Sequence, residues 1–129
     1  MNAETDDPFH RPHTIALGGG SVRVRYQQSN RDGDLLSIKL KVQNLTSHRL
    51  YAGDFRPALV TDAEEYVHGR VTGIYHRGEA VKGVPPSATA SLHVVSHSGA
   101  HDAQAITLNI SGREVSIPLG RSLGGPGSS

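Results

Sequence analysis

Residues 106–119 read ITLNISGREVSIPL, and this stretch decides the fold class. Apolar and polar residues alternate on both sides of Ser111-Gly112, with the period of two that a half-buried β-strand shows. A two-residue turn at Ser111-Gly112 closes a β-hairpin. Pro118 has no amide hydrogen to donate, so it belongs at a strand end or on an edge strand. The hairpin predicts two cross-strand pairs, Leu108 with Val115 and Ile106 with Ile117.

The same alternation recurs nearer the N-terminus, in residues 22–26 (VRVRY) and 36–42 (LSIKLKV). Residues 29–33 (SNRDG) between them are rich in turn formers and predict a loop. If Gln28 pairs with Asp34, the apolar residues of both strands fall on one side of a second hairpin, and the register is self-consistent. This register predicts three cross-strand pairs, Val24 with Ile38, Val22 with Leu40 and Arg23 with Lys39.

The middle of the chain contains three more strand candidates, residues 54–61, 70–75 and 88–95, and no segment sustains a helical stripe. Short strands separated by turns are typical of an all-β antiparallel sandwich, here of about seven to eight strands. We predict one sandwich domain over residues 13–119. Residues 1–12 are polar and acidic and predict a disordered arm, and residues 120–129, rich in Gly and Ser, predict a flexible tail.

Composition excludes several classes of function. The chain of 129 residues has a formal net charge of +1, which is small for a nucleic-acid binder, and it has no cysteine for disulfides or thiolate zinc sites. No segment is apolar for long enough to span a membrane. The first 17 residues do not form a secretory leader, so the protein is cytosolic unless a leader precedes this sequence and sends it to an extracytoplasmic compartment.

Four segments carry a resemblance to a known family: residues 42–47 (VQNLTS), 54–62 (DFRPALVTD), 84–90 (VPPSATA) and the hairpin of 106–119. In this order they resemble the bacterial immunoglobulin-like domains of lipoproteins and cell-envelope proteins, a family often labelled telomeric repeat-binding factor. The resemblance covers residues 20–119. It implies an immunoglobulin-like sandwich that acts as a non-catalytic adhesion, scaffolding or accessory module, and it implies no particular ligand.

Four cations define a candidate binding site, which we call the basic strip: Arg23, Arg25, Lys39 and Lys41. The predicted register places them on one outward face of the N-terminal hairpin. Like charges opposed across strands are destabilising, so an acidic neighbouring strand or an acidic partner is expected to offset them. The alternative is an ordinary solvated face. Apart from nearby tyrosines, we expect no aromatic residues between these cations, which disfavours a stacking platform for single-stranded nucleic acid.

Histidines provide a second, weaker candidate site. His97, His101 and Asp102 could converge on a metal ion if the chain turns between them, and His68 and His76 could join from other loops. His93 and His97 are separated by about 13 Å along an extended strand and cannot share an ion without such a turn. The alternative is a set of solvated loop histidines. No nucleophile elbow or phosphate-binding loop is present, so we expect neither catalysis nor a cofactor.

These observations predict a non-enzymatic binding or accessory module of a bacterial envelope or secreted system. Its expected partner is another protein, with an acidic surface, and no specific nucleic acid. A structural assembly protein of a phage particle or secretion apparatus is the alternative. A metal-dependent enzyme is the remote alternative, and it depends on the histidines.

Overall fold

A computed structural model describes residues 12–33, 35–61, 65–96 and 103–119. Most of these residues lie in β-strands, and the only helical element in these ranges is a single 3₁₀ turn, Ala52–Asp54. The strands are β1 (His13–Leu17), β2 (Gly20–Asp32), β3 (Leu35–Thr46), β4 (Leu50–Tyr51), β5 (Phe55–Thr61), β6 (Tyr66–His68), β7 (Arg70–His76), β8 (Glu79–Val81), β9 (Gly83–Val84), β10 (Thr89–Ser96), β11 (Ala103–Ile110) and β12 (Arg113–Pro118).

The strands form antiparallel sheets that enclose one apolar core. The larger sheet has the order β1-β2-β3-β10-β7-β8, the second has the order β12-β11-β5-β6, and β4 pairs with β9.

The predicted all-β antiparallel sandwich is confirmed, and all seven predicted strands are present. Five short strands (β1, β4, β6, β8 and β9) were not predicted, because each has at most five residues and little room for alternation. The predicted arm and tail, residues 1–12 and 120–129, lie outside the described residues except for Pro12.

The core is built from the inward side chains of both sheets. Alternate residues of β2, β3 and β10 are buried, whereas the residues between them are exposed or half-buried. They meet fully buried residues of β5, β11 and β12, such as Leu59, Leu108 and Ile117. Burying one such side chain contributes about 1.5–3 kcal/mol, so this alternation is the main source of stability in a chain without disulfides.

The C-terminal hairpin has the predicted register. Ser111 and Gly112 have φ angles of 52° and 87°, as a two-residue type I′ turn requires. Leu108 pairs with Val115, and Ile106 pairs with Ile117. Pro118 is the last residue of β12, which is an edge strand, so its missing amide hydrogen interrupts no ladder.

The predicted register of the N-terminal hairpin is wrong. β2 continues through the expected loop to Asp32, which pairs with Leu35 across a tight turn where Gly33 has a φ angle of 63°. Val24 therefore pairs with Val42, four residues beyond the predicted partner. The polar residues after the bulge at Gln27 were mistaken for a loop because their hydrogen-bonding side chains are also common in turns. The remaining corrected pairs are Val22 with Asn44 and Arg23 with Gln43.

Asn44, near the end of β3, ties three segments of the chain together. Its side chain is fully buried, and Nδ2 donates hydrogen bonds of 2.9 Å to the carbonyl oxygens of His48 and Val84. Oδ1 accepts a hydrogen bond from the Thr46 amide at 2.9 Å. The Asn44 main chain also pairs with Ser87 and Ala88, the residues that lead into β10. Asn44 thus aligns the start of β10 with β3.

We expect Asn44→Ala to lower the free energy of unfolding by about 2–4 kcal/mol, because the buried Val84 carbonyl loses its donor and cannot reach water. Urea denaturation monitored by circular dichroism measures this change. Asn109→Ala is the matched control, since Asn109 caps only the exposed turn at Gly112, and it should lower the free energy by less than about 1 kcal/mol. Equal effects of the two substitutions would contradict the role of Asn44.

Candidate binding face

The outer face of the six-stranded sheet, which points away from the core, carries the basic strip. Residues paired directly across antiparallel strands present their side chains on the same side. The pairing of β2, β3, β10 and β7 therefore arranges this face in cross-strand rows. The rows are Arg23-Gln43-Thr89, then Arg25-Lys41-Ser91-Tyr75, then Gln28-Lys39-His93-Gly73.

The four cations share this face although the predicted pairs between them are wrong. Arg23 does not face Lys39, as expected, but faces Gln43, and the like-charged pair is Arg25 with Lys41. The predicted register is wrong by four residues. Because successive side chains alternate between the two faces of a sheet, an even shift changes the cross-strand partners but keeps each side chain on its predicted face. Both arginines are exposed. Both lysines are half-buried, because their strand lies between two others.

Almost no negative charge lies on this sheet. Among the six described strands that form it, the only carboxylates are Asp32, beside the hairpin turn, and Glu79, on the short edge strand β8. Neither belongs to the three rows, since Asp32 pairs with Leu35 and Glu79 pairs with His76. The acidic neighbouring strand that could offset the basic strip is therefore absent from the described sheet.

An aromatic pair lies beside the cations rather than between them. The rings of Tyr75 and His93 are stacked at a tilt of 44°, with their centroids 4.6 Å apart. A Cβ on Gly73 would lie only 2.8 Å from Cε2 of Tyr75, so the glycine leaves the space that this ring occupies. Sequence reasoning missed both rings because their position depends on the pairing of β10 with β3 and β7, which are distant in the chain.

His93 is the titratable residue at the centre of the face. It is half-buried and pairs directly with Lys39 on one side and with Gly73 on the other. Burial, and then the positive charge of Lys39, lower the pKa of His93 below its ordinary value. Both causes disfavour the charged imidazole, so His93 is mostly neutral near pH 7.

Two shallow grooves lie on this face, and one of them is lined by both lysines of the basic strip and by the aromatic pair. The first groove, of about 390 Å³, is lined by residues that include Lys39, Lys41, Tyr75, Arg77 and His93. The second, of about 170 Å³, is lined by residues that include Pro12, Arg23, Arg25 and Lys41. Lys41 and Thr89 line both grooves, so the two grooves lie next to each other on the sheet.

The proposed metal ligands gain no support from the structure. His97, His101 and Asp102 lie outside the described residues. His68 and His76 belong to different sheets, and His76 Nδ1 donates a hydrogen bond of 3.1 Å to the Thr89 carbonyl oxygen. Within the described ranges, no group of three or more histidine, aspartate or glutamate residues is placed to hold a metal ion.

In comparisons with known proteins, no family model, curated protein or solved structure matched the chain significantly. None of the described residues lies in a helix with the length and apolar character that a bilayer crossing requires. Function is therefore inferred from the outer face itself.

Because Arg25 and Lys41 are opposed directly, we expect Lys41→Glu to be neutral or to stabilise the folded protein by up to about 0.5 kcal/mol at low salt. Any gain should disappear near 0.5 M salt, where exposed charges are screened. Urea denaturation at both salt concentrations measures this effect. Lys82→Glu, in the exposed segment between β8 and β9, is the control and should not depend on salt. A loss of more than about 1 kcal/mol in Lys41→Glu would mean that an acidic group already neutralises the strip.

Proposed function

We propose that this chain is a non-enzymatic binding module that docks an acidic protein surface on the outer face of its six-stranded sheet. One observation carries the proposal: four strand cations share a face whose rows contain no carboxylate. Like charges kept together without internal compensation weaken the sheet slightly, and an acidic partner removes that repulsion.

The shape of the face favours a macromolecular partner over a small molecule. Its grooves are open and shallow, and they contrast with the enclosed, mostly apolar pockets that bind small ligands. At standard strand spacings, the rows from β2 to β7 cover roughly 15 Å by roughly 17 Å. This area is small for a permanent interface and suits a weak, rapidly exchanging contact that charge attraction guides.

The resemblance to immunoglobulin-like envelope domains supports the wider assignment. An antiparallel sandwich stabilised by its own core leaves one sheet free to bind. We therefore extend the proposal to an accessory module of a bacterial envelope or secreted system, in which the sandwich positions the face and catalysis belongs to other proteins.

A deca-aspartate peptide with a fluorescent label is a defined probe for this function. We expect it to bind the folded protein, with a dissociation constant that rises steeply with salt. Arg25→Glu/Lys41→Glu should weaken binding about tenfold or more, because it reverses two charges at the centre of the basic strip. Fluorescence anisotropy at 20 and 150 mM salt measures both effects.

The matched control is Lys82→Glu/Arg113→Glu, which changes the net charge equally at two exposed positions outside the rows. It should weaken binding about twofold at most, since exposed charges a Debye length away are screened. If the two double variants lost affinity equally, binding would depend on net charge alone, and the assignment of the face would be overturned. Stronger binding of a deca-thymidine strand than of the peptide would overturn the choice of a protein partner in favour of single-stranded nucleic acid.

A further inference from the structure

His93 lies at the centre of the outer face, directly beside Lys39 of the basic strip. It occupies the middle of a row, between Lys39 on β3 and Gly73 on β7, and it lines the groove that both lysines of the strip also line. Since Gly73 has no side chain, the imidazole has a cation on one side and the Tyr75 ring on the other. An acidic group that reaches Lys39 in this groove therefore comes close to His93 as well.

Among the described residues, the groups that line the groove with His93 are all cationic or neutral in the free protein. Lys39 and Lys41 face the groove from β3, and Tyr75 and Arg77 face it from β7 and the turn that follows. On the far side of Lys39, β2 contributes the uncharged Gln28. The carboxylate of Glu79, on β8, is not among the residues that line this groove. Proton binding to His93 is thus opposed by its neighbours until an anion arrives.

We propose that protonated His93 binds a carboxylate of the acidic partner, so that docking takes up a proton and strengthens as the pH falls. This inference rests on the proposed function, because it assigns the residue that controls affinity at the same face. The occupant is an acidic protein segment whose carboxylates contact Lys39 and His93 together.

The direction of the pH dependence follows from the two states of the imidazole. In the free protein, burial and Lys39 hold the pKa of His93 below its ordinary value. A carboxylate beside the ring favours the charged form and raises the pKa in the complex. The complex therefore binds more protons than the free protein, and affinity increases as the pH falls through the bound pKa. The increase ends below the free pKa, where His93 is charged in both states.

Tyr75 acts as a positioning residue for this histidine. Its ring stacks against the imidazole at 4.6 Å and restricts the space in which the His93 side chain can turn. Thr72, at the irregularity in the β7–β10 pairing, donates a hydrogen bond of 3.4 Å from Oγ1 to the His93 carbonyl oxygen. The backbone and the ring of His93 are thus both restrained before a partner docks, which reduces the entropy lost on binding.

The test measures the affinity of the full chain for the labelled deca-aspartate peptide between pH 8.0 and 5.5, a range in which aspartate remains ionised. We expect the dissociation constant to fall by about tenfold across this range, which corresponds to a pKa difference of about one unit between bound and free His93. Calorimetry at pH 6.5 in two buffers of different ionisation enthalpy should show uptake of up to one proton for each peptide bound.

Two variants separate this inference from the proposed function. At every pH, His93→Gln should bind the peptide with the affinity that the natural protein shows at pH 8.0. Its binding should take up no proton. His68→Gln, on the exposed strand β6 of the other sheet, should keep the full pH dependence. Binding of the natural protein that is independent of pH, or a pH dependence that survives in His93→Gln, overturns the inference alone. Absence of peptide binding at both pH limits overturns the proposed function as well.

Discussion

The buried side chain of Asn44 is the interaction on which the arrangement of the larger sheet depends. Its amide satisfies the carbonyl groups of two separate segments, and its main chain pairs with the residues that precede β10. Because the bond to Val84 is buried, an alignment of β10 that broke it would leave polar atoms unpaired away from water. The alignment that satisfies them also places His93 beside Lys39, so this uncharged contact determines the electrostatics of the outer face.

Local pairing could be predicted from the sequence wherever the turn residues allowed only one register. At Ser111-Gly112 both turn residues adopt positive φ angles, and the predicted pairs of β11 and β12 are correct. In the N-terminal hairpin several polar residues could have formed the turn, and the true turn at Gly33 lies at the end of the predicted loop. Strand alternation alone therefore predicted which side chains point outward, but not which of them are neighbours.

The composition of the candidate site could be predicted only in part, for the same reason. The basic strip was recognisable because Arg23, Arg25, Lys39 and Lys41 alternate with apolar residues in two adjacent strands. Tyr75 and His93 joined the site only through pairs that span a long stretch of chain, β10 with β3 and β7 with β10. No local pattern encodes such pairs, because they depend on how the two sheets share one core.

The order of the strands also has a consequence for how the domain folds. The β11–β12 hairpin closes through two residues. The β3–β10 pair, by contrast, joins segments that are separated in the chain by β4 to β9. Bringing distant segments into contact costs the chain more entropy than closing a hairpin, so these contacts form slowly. We expect the C-terminal hairpin to form early and the Lys39–His93 row to form late, which folding rates of variants in each region would reveal. A folding intermediate would then expose apolar strands before it displays the charged face, and only chains that have completed the sandwich would recruit a partner.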